Sequence, residues 1–237
     1  MPRYLGDIQC EFEGEAETGI DTTASFATQT ITPFRLTTTI PITNDMLMNG
    51  SFDVETYIMG KANESFARKE ATAFTHGSGF KQPSGFLQDD EITSEAMVSG
   101  TSGAISGDDL LLLQGKLKQG YNEMFCMNRL TLSTCRTLKG NDGHYLWQPA
   151  LNGATANTIA GVPYFINQDM PDIASNSTPV AIADWKRGYE IVDRAGLSII
   201  RDDITRKRQA VIEITLHRYL TGAPVMKEAF KLLKIKA

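Results

Sequence analysis

Residues 51–77 constrain the fold most, because they predict one long amphipathic helix with both ends marked in the sequence. Ser51 or Asp53 can cap its start, and Gly77 is a typical C-terminal stop. At about 1.5 Å per residue the helix is roughly 36 Å long, so we expect it to lie along a sheet with Phe66 and Phe74 buried beneath it. Apolar side chains at the helical spacing of three or four residues are Val54, Tyr57, Ile58, Ala62, Phe66, Ala67, Ala71 and Phe74.

The last third of the chain alternates apolar and polar residues, which is the pattern of β-strands. It predicts strands at residues 189–193, 197–201 and 207–219, and we expect these strands to form the sheet that supports the helix. Residues 26–42 alternate as well, and Pro33 within them indicates an edge strand or a bulge.

The middle of the chain is predicted to contain a loop and several short elements. Residues 78–107 are rich in glycine and serine, which is typical of a loop and indicates a boundary between two lobes. Further predictions are a helix at 108–121, a buried strand at 127–133, a short helix at 134–139, and strands at 161–167 and 180–184.

Composition indicates an ordinary globular protein. The 237 residues are 41% hydrophobic and carry a formal net charge of −5, which is enough apolar material for one large core or two modest ones. No apolar run approaches the ~20 residues of a membrane span, and the first residues lack the apolar core of a signal peptide. We therefore expect a cytoplasmic chain with no membrane partner.

Charge is distributed unevenly along the chain. Residues 1–60 carry a formal charge of −7, whereas residues 201–237 carry +5. Two separately solvated faces would explain this pattern, and so would an acidic loop that meets a basic face on a neighbouring subunit. The second explanation names inter-subunit candidates: Glu11, Glu13, Glu15, Glu17, Arg206, Lys207 and Arg208. An overall negative chain is a poor candidate for tight, sequence-specific binding of nucleic acid.

The sequence offers few groups for catalysis. His76, His144 and His217 lie far apart without metal-ligand spacing, and the chain has none of the common phosphate-binding, zinc-protease or hydrolase motifs. We expect no metal and no cofactor. Cys126 and Cys135 lie in segments predicted to be buried, which is the usual state of a free cysteine, although a Cys–His nucleophile remains an open alternative.

The helix and its flanks carry a family resemblance. The helix follows TTTIPITNDMLMNG (37–50) and precedes HGSGFKQPSGFL (76–87), and this order resembles the major capsid proteins of tailed bacteriophages, of the Hong Kong ninety-seven type. The second half is similar to the same family in FCMNRLTLSTCRTLKGNDGHYLWQP (125–149), GVPYFINQDMPDI (161–173) and IADWKRGYEIVDRAGLSIIRDD (182–203). The pieces together cover nearly the whole chain.

The resemblance implies an α+β fold with an extended acidic loop and two lobes. Residues 1–30 would be part of the extended loop, the E-loop, without the N-terminal arm that normally precedes it. We expect this loop to be ordered mainly by a neighbouring subunit. Residues 31–104 and 190–220 would form the peripheral domain, in which the long helix lies on a sheet. Residues 105–189 and 221–237 would form the axial domain.

The function implied by the resemblance is that of a structural, non-enzymatic subunit of a tailed phage or prophage. Such subunits assemble into hexamers and pentamers of an icosahedral shell around double-stranded DNA, which they contact nonspecifically. The implied partners are portal, scaffold or protease, and decoration proteins. The implied location is the virion capsid, and the bacterial host cytoplasm during assembly.

Some members of this family cross-link their subunits through a loop lysine, an asparagine and a buried glutamate. The first lysine here is Lys61, within the predicted helix, and the matching asparagine and glutamate positions carry Gln209 and Leu216. We therefore expect noncovalent association. The alternative functions are an encapsulin-like protein compartment and, from a different class, a small α/β hydrolase or transferase.

Overall fold

The computed structural model of the chain describes residues 2–4, 26–28, 31–49, 53–140, 143–144 and 158–237. The chain divides into two compact units, residues 1–32 and residues 33–237. In the first unit, strands β1 (Pro2–Tyr4) and β2 (Phe26–Thr28) pair antiparallel. The predicted acidic loop lies almost entirely outside the described residues, so its expected dependence on a neighbouring subunit stays a prediction.

The second unit has a mixed order of helices and strands. In chain order it contains β3 (Phe34–Thr43), α1 (Asn44–Asn49), α2 (Val54–His76), α3 (Asp90–Ser94), β4 (Met97–Ser102), α4 (Gly107–Gly115), β5 (Met124–Met127), α5 (Arg129–Arg136), β6 (Thr158–Ile159), β7 (Val162–Ile166), β8 (Val180–Ala183), α6 (Trp185–Gly188), β9 (Tyr189–Asp202), β10 (Val211–Pro224) and β11 (Phe230–Lys236). Single 3₁₀ turns occur at Phe86–Gln88, Lys207–Gln209 and Lys227–Ala229.

The strands of the second unit form two sheets. The first has the order β3-β10-β9 and is antiparallel throughout, so β3 and β9 are its edge strands. The second has the order β4-β11-β8-β5-β7-β6, in which β11 pairs parallel with β4 and β5 pairs parallel with β7. The α+β prediction is confirmed.

Helix α2 confirms the predicted long helix and its two ends. The side chain of Asp53 accepts a hydrogen bond from the Thr56 backbone N–H at 3.2 Å, which satisfies one of the free donors of the first turn. At the other end the Gly77 N–H donates to the Ala73 carbonyl at 2.8 Å. The predicted pair of helix and sheet is confirmed too, because α2 packs on β3 and β10.

The contact between α2 and the sheet follows residues spaced four apart. Phe66 is 6% exposed and lies in one buried cluster with Ile214 and Leu216 of β10. The buried side of α2 is therefore narrower than predicted. Tyr57 was expected to be buried, but it is 56% exposed. Phe74 is only half-buried, with its ring edge-on to Tyr189 at a centroid distance of 5.7 Å.

Gly60 lies inside α2 on the exposed side, and a Cβ built there would have no neighbour within 4 Å. Gly60→Ala is therefore expected to raise the free energy of unfolding by about 1 kcal/mol, because alanine is the better helix former. A urea melt followed by far-UV circular dichroism measures the change. A loss of stability would contradict the prediction, because it would mean that the added methyl group meets a neighbouring atom.

The predicted loop at 78–107 is in fact ordered and contains a 3₁₀ turn, α3 and β4. Strand β4 joins the six-stranded sheet through β11, a pairing too distant along the chain to be read from local composition. The buried Asp109 side chain fixes the end of the segment, because it accepts from the Gly100 N–H and from the Ser106 N–H, both at 2.9 Å.

The predicted strand at 127–133 was also wrong beyond its first residue. The strand is β5, which ends at Met127, and the helix α5 starts two residues later. Asn128 causes this change, because its side-chain oxygen accepts from the Thr131 N–H at 2.6 Å and its amide donates to the Met170 carbonyl at 3.1 Å. The helix predicted at 134–139 is therefore α5, shifted toward the N-terminus.

Three other boundaries differ from the prediction. The strands predicted at 189–193 and 197–201 are one strand, β9, with an irregular register against β10 between His217 and Leu220. Strand β10 starts at Val211 rather than at 207, because residues 207–209 form a 3₁₀ turn that ends at Ala210 with φ of +53°. The helix predicted at 108–121 ends at Gly115.

Candidate assembly surface

One end of the three-stranded sheet brings several exposed segments together. Helix α1 continues directly from β3, and its first residue, Asn44, donates its N–H to the Ala210 carbonyl at 2.8 Å. Arg201 of β9 lies 3.5 Å from Glu55 in the first turn of α2. We call this region the distal end and define it as α1, residues 54–57, and the β9–β10 hairpin from residue 199 to residue 211.

The distal end exposes large apolar side chains from each of these segments. They are Met46, Met48, Tyr57, Ile199, Ile200 and Ile204. Ile204 is 82% exposed and Met48 is 83% exposed. Single exposed apolar residues are common on protein surfaces, but a group of them at one end of a sheet is typical of an interaction site.

The distal end is also rich in cations. Lys207 and Arg208 are exposed and form no ion pair with any residue in the described ranges. Arg206 differs, because its Nε lies 2.8 Å from the Glu213 Oε1 on β10. Two of the three predicted basic candidates are thus free to meet an acidic partner, while the third also supports the hairpin.

Asp202 holds the turn that presents these cations. Its side chain accepts from the Thr205 hydroxyl, from the Thr205 N–H at 3.0 Å and from the Ile204 N–H at 2.8 Å. These hydrogen bonds, the one from the Thr205 side chain first, lower the pKa of Asp202 below its ordinary value. A lowered pKa means that Asp202 supports the turn at neutral pH and loses this effect as the pH falls through the folded-state pKa.

The structure places only the basic inter-subunit candidates, and their role stays a prediction. Arg206, Lys207 and Arg208 lie together at the tip of the hairpin, whereas the acidic candidates Glu11, Glu13, Glu15 and Glu17 lie outside the described residues. The exposed apolar residues were missed, and Tyr57 was even assigned to the buried stripe. A usable signal was the run from Asp45 to Met48, where two methionines flank Leu47 in a short polar segment.

The two described cysteines do not favour nucleophilic catalysis. Cys126 and Cys135 are both buried and free. Burial raises the pKa of both thiols, that of Cys135 to about 11. A catalytic cysteine needs the opposite change, because the thiolate is the nucleophile. The Cys–His alternative is therefore not supported by the described surroundings of either thiol.

A groove of about 950 Å³ lies between the second half of α2 and the turn after β7. Its polar side chains bond to one another across the groove, with Thr72 Oγ1 donating to Asp169 Oδ1 at 3.0 Å and Asn167 Nδ2 donating to Thr75 Oγ1 at 2.8 Å. The His76 Nε2 lies 2.5 Å from the Asp169 carbonyl oxygen. These bonds connect α2 to the turn and do not converge on a substrate position.

The described part of the chain offers no cluster of metal ligands and no helix that could span a membrane. Within it, no group of three or more His, Cys, Asp or Glu side chains is placed to hold a metal ion. Its helices are also too short or too polar to cross a membrane.

One antiparallel sheet under the long helix α2 and one mixed six-stranded sheet form the α+β frame of the chain. The sequence model of the phage capsid family matches residues 4–235, and the chain belongs to that family. Comparison with curated proteins finds no match. The family assignment replaces the alternative of a small α/β hydrolase or transferase.

Solved structures agree with this assignment. The chain is similar to the capsid of a native GTA particle, with 26% identity and a TM-score of 0.87 over all of this chain and 85% of that one. It shares its fold with a structure from Gordonia phage Cozz, at 16% identity and a TM-score of 0.70 over 100% and 81% of the two chains. It also shares its fold with the SrpI encapsulin of Synechococcus elongatus PCC 7942, at 14% identity and a TM-score of 0.65 over 98% and 81%.

The chain is therefore a major capsid subunit with the Hong Kong ninety-seven type of fold. It is a structural protein of the virion, and its copies associate into the capsomers of a shell.

Proposed function

We propose that the subunit assembles noncovalently into hexamers and pentamers of an icosahedral shell around double-stranded DNA, and that the distal end is one of its assembly surfaces. The observation that carries this proposal is the combination, at one end of one sheet, of exposed apolar residues with Lys207 and Arg208. Surfaces of this kind gain free energy from apolar burial and gain specificity from charge.

The proposed partner of Arg206, Lys207 and Arg208 is the acidic segment of a neighbouring copy, which carries Glu11, Glu13, Glu15 and Glu17. Support comes from the opposite charges of residues 1–60 and residues 201–237. In this proposal residues 1–30 act as part of the extended loop. The subunit contributes no catalysis of its own and needs no cofactor.

We also propose the two-lobe division. The peripheral lobe would contain residues 31–104 and 190–220, and the axial lobe residues 105–189 and 221–237. The two sheets support this division, with two qualifications from the strand order. Strand β4 pairs with β11, so we place residues 97–102 with the axial sheet. Residues 221–224 of β10 pair with residues 189–192 of β9, so we place both segments with the peripheral sheet. Portal, scaffold or protease, and decoration proteins are the further proposed partners, with assembly in the host cytoplasm and nonspecific contact to packaged DNA.

The salt-dependent share of association is expected to depend on the hairpin tip. Exposed ion pairs contribute about 0 to 1 kcal/mol each, and salt screens them with a Debye length of about 8 Å at physiological ionic strength. The double variant Lys207→Gln and Arg208→Gln should therefore associate more weakly at low salt, by up to about fivefold for each pair lost. It should also respond less to added salt. Analytical ultracentrifugation across a salt series measures both effects.

A matched control removes two positive charges elsewhere, through Lys116→Gln and Lys186→Gln on the exposed surface. If this control weakens association as much as the tip variant, net charge rather than the tip governs assembly. Denaturing electrophoresis of the same samples tests the noncovalent claim, because a ladder of cross-linked subunits on that gel would contradict it.

An encapsulin-like compartment remains the second candidate, because the fold is shared with the SrpI encapsulin. The two candidates differ in what the shell encloses. Purified particles that contain DNA support the phage-type proposal, whereas particles that contain a cargo protein support the compartment. Ultraviolet spectra and mass spectrometry of nuclease-treated particles distinguish them.

A further inference from the structure

A second exposed apolar feature lies at the opposite end of α2 from the distal end. Phe80 is 73% exposed and lies in the short segment that follows the helix. We call residues 78–84 the apex loop. An exposed phenylalanine ring does not contribute the free energy that burial of the ring would supply. A loop that holds such a ring in solvent therefore indicates a role outside the subunit's own core.

The apex loop is held by hydrogen bonds at its base. Ser78 and Ser84 form an isolated antiparallel bridge, and the Gly79 N–H donates to the Pro83 carbonyl at 3.2 Å. The Gln82 amide donates to the Ser78 hydroxyl at 3.0 Å. The Ser84 N–H is fixed in turn by the β10 carbonyl of Gly222 at 2.9 Å. The position of Phe80 is therefore determined by the fold.

The backbone at the tip of the loop is also specialised. Gly79 and Lys81, on either side of Phe80, have positive φ values of +76° and +56°. This conformation is easy for glycine and unfavourable for lysine. The Lys81 ammonium lies over the Phe80 ring at 5.4 Å from its centroid. A strained residue next to an exposed ring indicates a functional constraint on the loop.

A largely apolar pocket borders the apex loop next to Lys81, the residue that follows Phe80. Its volume is about 140 Å³, and Lys81 and Gln82 of the apex loop form part of its wall. The apolar part of the wall comes from β3, α2, the end of the loop and β10: Phe34, Leu36, Ala73, Pro83 and Leu220. Its polar part is completed by Arg35, Lys69 and Glu70, of which Glu70 is paired with Arg218 at 3.0 Å. An apolar cavity of about 150 Å³ is large enough to bind benzene, so this pocket can accept the ring of a phenylalanine.

The Phe80 ring and the pocket lie on one surface patch, because Lys81 lies over the ring and also lines the pocket. Phe80 points into solvent, so the pocket of its own subunit is available to a ring from elsewhere. A patch that carries both an exposed ring and a pocket of matching size is self-complementary under two-fold symmetry, because the ring of each copy can enter the pocket of the other.

We infer that two copies of this chain meet at the apex loop, where Phe80 of each enters the pocket of the other. The inference rests on the self-association proposed above and adds a contact separate from the distal end. Arg35, Lys69 and Lys81 are exposed around the patch, so two copies bring like charges together. Added salt therefore strengthens this contact, whereas it weakens a contact between the basic tip and an acidic segment.

Two substitutions in the full chain test the inference from opposite sides. Phe80→Ala removes the ring, and Ala73→Leu fills the pocket from α2. Each is expected to raise the dissociation constant of the salt-stabilised dimer by about a hundredfold or more, because two buried rings are lost. Leu112→Ala, which truncates a side chain that is 60% exposed on α4, is the control and leaves the constant unchanged. Thermal melts confirm that each variant folds.

Mixing the two variants gives the sharpest result. Neither variant forms the contact with itself, but the Phe80 ring of the Ala73→Leu chain fits the open pocket of the Phe80→Ala chain. Sedimentation of the mixture should therefore show a heterodimer with an affinity between those of the variants and the wild type. Wild-type affinity in both single variants, or no heterodimer in the mixture, overturns the inference and leaves the proposed function intact. A wild-type chain that stays monomeric at every salt concentration overturns both.

Discussion

Replacing Phe66 with Ala is expected to lower the free energy of unfolding by about 3 to 5 kcal/mol. Phe66 is 6% exposed and packs with Ala62 of α2 against Ile214 and Leu216 of β10. The loss has two parts, the transfer free energy of the ring and the cavity that remains because helix and sheet cannot close up fully. Urea denaturation followed by far-UV circular dichroism measures the change.

Two other phenylalanines calibrate this result. Phe74→Ala should cost less than Phe66→Ala because Phe74 is half-buried, and Phe80→Ala should cost little because that ring is 73% exposed. The order Phe66, Phe74, Phe80 follows from burial alone. A loss of less than about 1 kcal/mol for Phe66→Ala would mean that α2 does not rest on the sheet through this side chain.

Replacing Gly77 with Ala is expected to cost about 3 kcal/mol. A Cβ at this position would lie 2.1 Å from the Pro83 carbonyl oxygen and 2.3 Å from the Ala73 carbonyl oxygen. Both are backbone atoms, so the clash cannot be relieved by rotating a side chain. The Gly77 N–H and carbonyl also hold the junction, bonding to the Ala73 carbonyl and the Gly85 N–H, both at 2.8 Å.

Gly60→Ala is the matched control, since it makes the same chemical change in the same helix at a position with free space. The two glycine variants should therefore shift the unfolding midpoint in opposite directions. A Gly77→Ala chain as stable as the wild type would show that the backbone at Gly77 can move away from the Pro83 and Ala73 carbonyl oxygens without a loss of stability. Its apex loop would then be movable as well.

Local signals explain why α2 could be predicted and why the connector after it could not. The start of the helix is marked by Asp53 and its end by Gly77, both at the helix itself. Its buried residues repeat every four positions, so they can be recognised from the local sequence. Strand β4 depends instead on β11, where Leu233 lies opposite Met97. Nothing within residues 78–107 contains that information, and their glycines and serines suggested a loop.

The candidate surfaces also combine residues that the sequence identifies with residues that only the folded chain reveals. Lys207 and Arg208 were identifiable because a cluster of like charges is almost always exposed. Tyr57 and Phe80 were not, because an aromatic residue in a sequence predicts burial and only the folded chain shows where it lies. Asn128 is a third case, since its side-chain oxygen accepts a hydrogen bond from the Thr131 N–H at the point where a strand ends and a helix starts.

The strand order also controls when a nascent chain can fold. Strand β10 lies between β3 and β9, and β11 lies between β4 and β8, although both follow their partners in the sequence. Ribosomes make β3, β4, β8 and β9 first, so the three-stranded sheet has no strand pair until β10 emerges, and β4 cannot join the six-stranded sheet until β11 emerges. We therefore expect the β9–β10 hairpin, which carries Lys207 and Arg208, to form only when synthesis of the chain is almost complete.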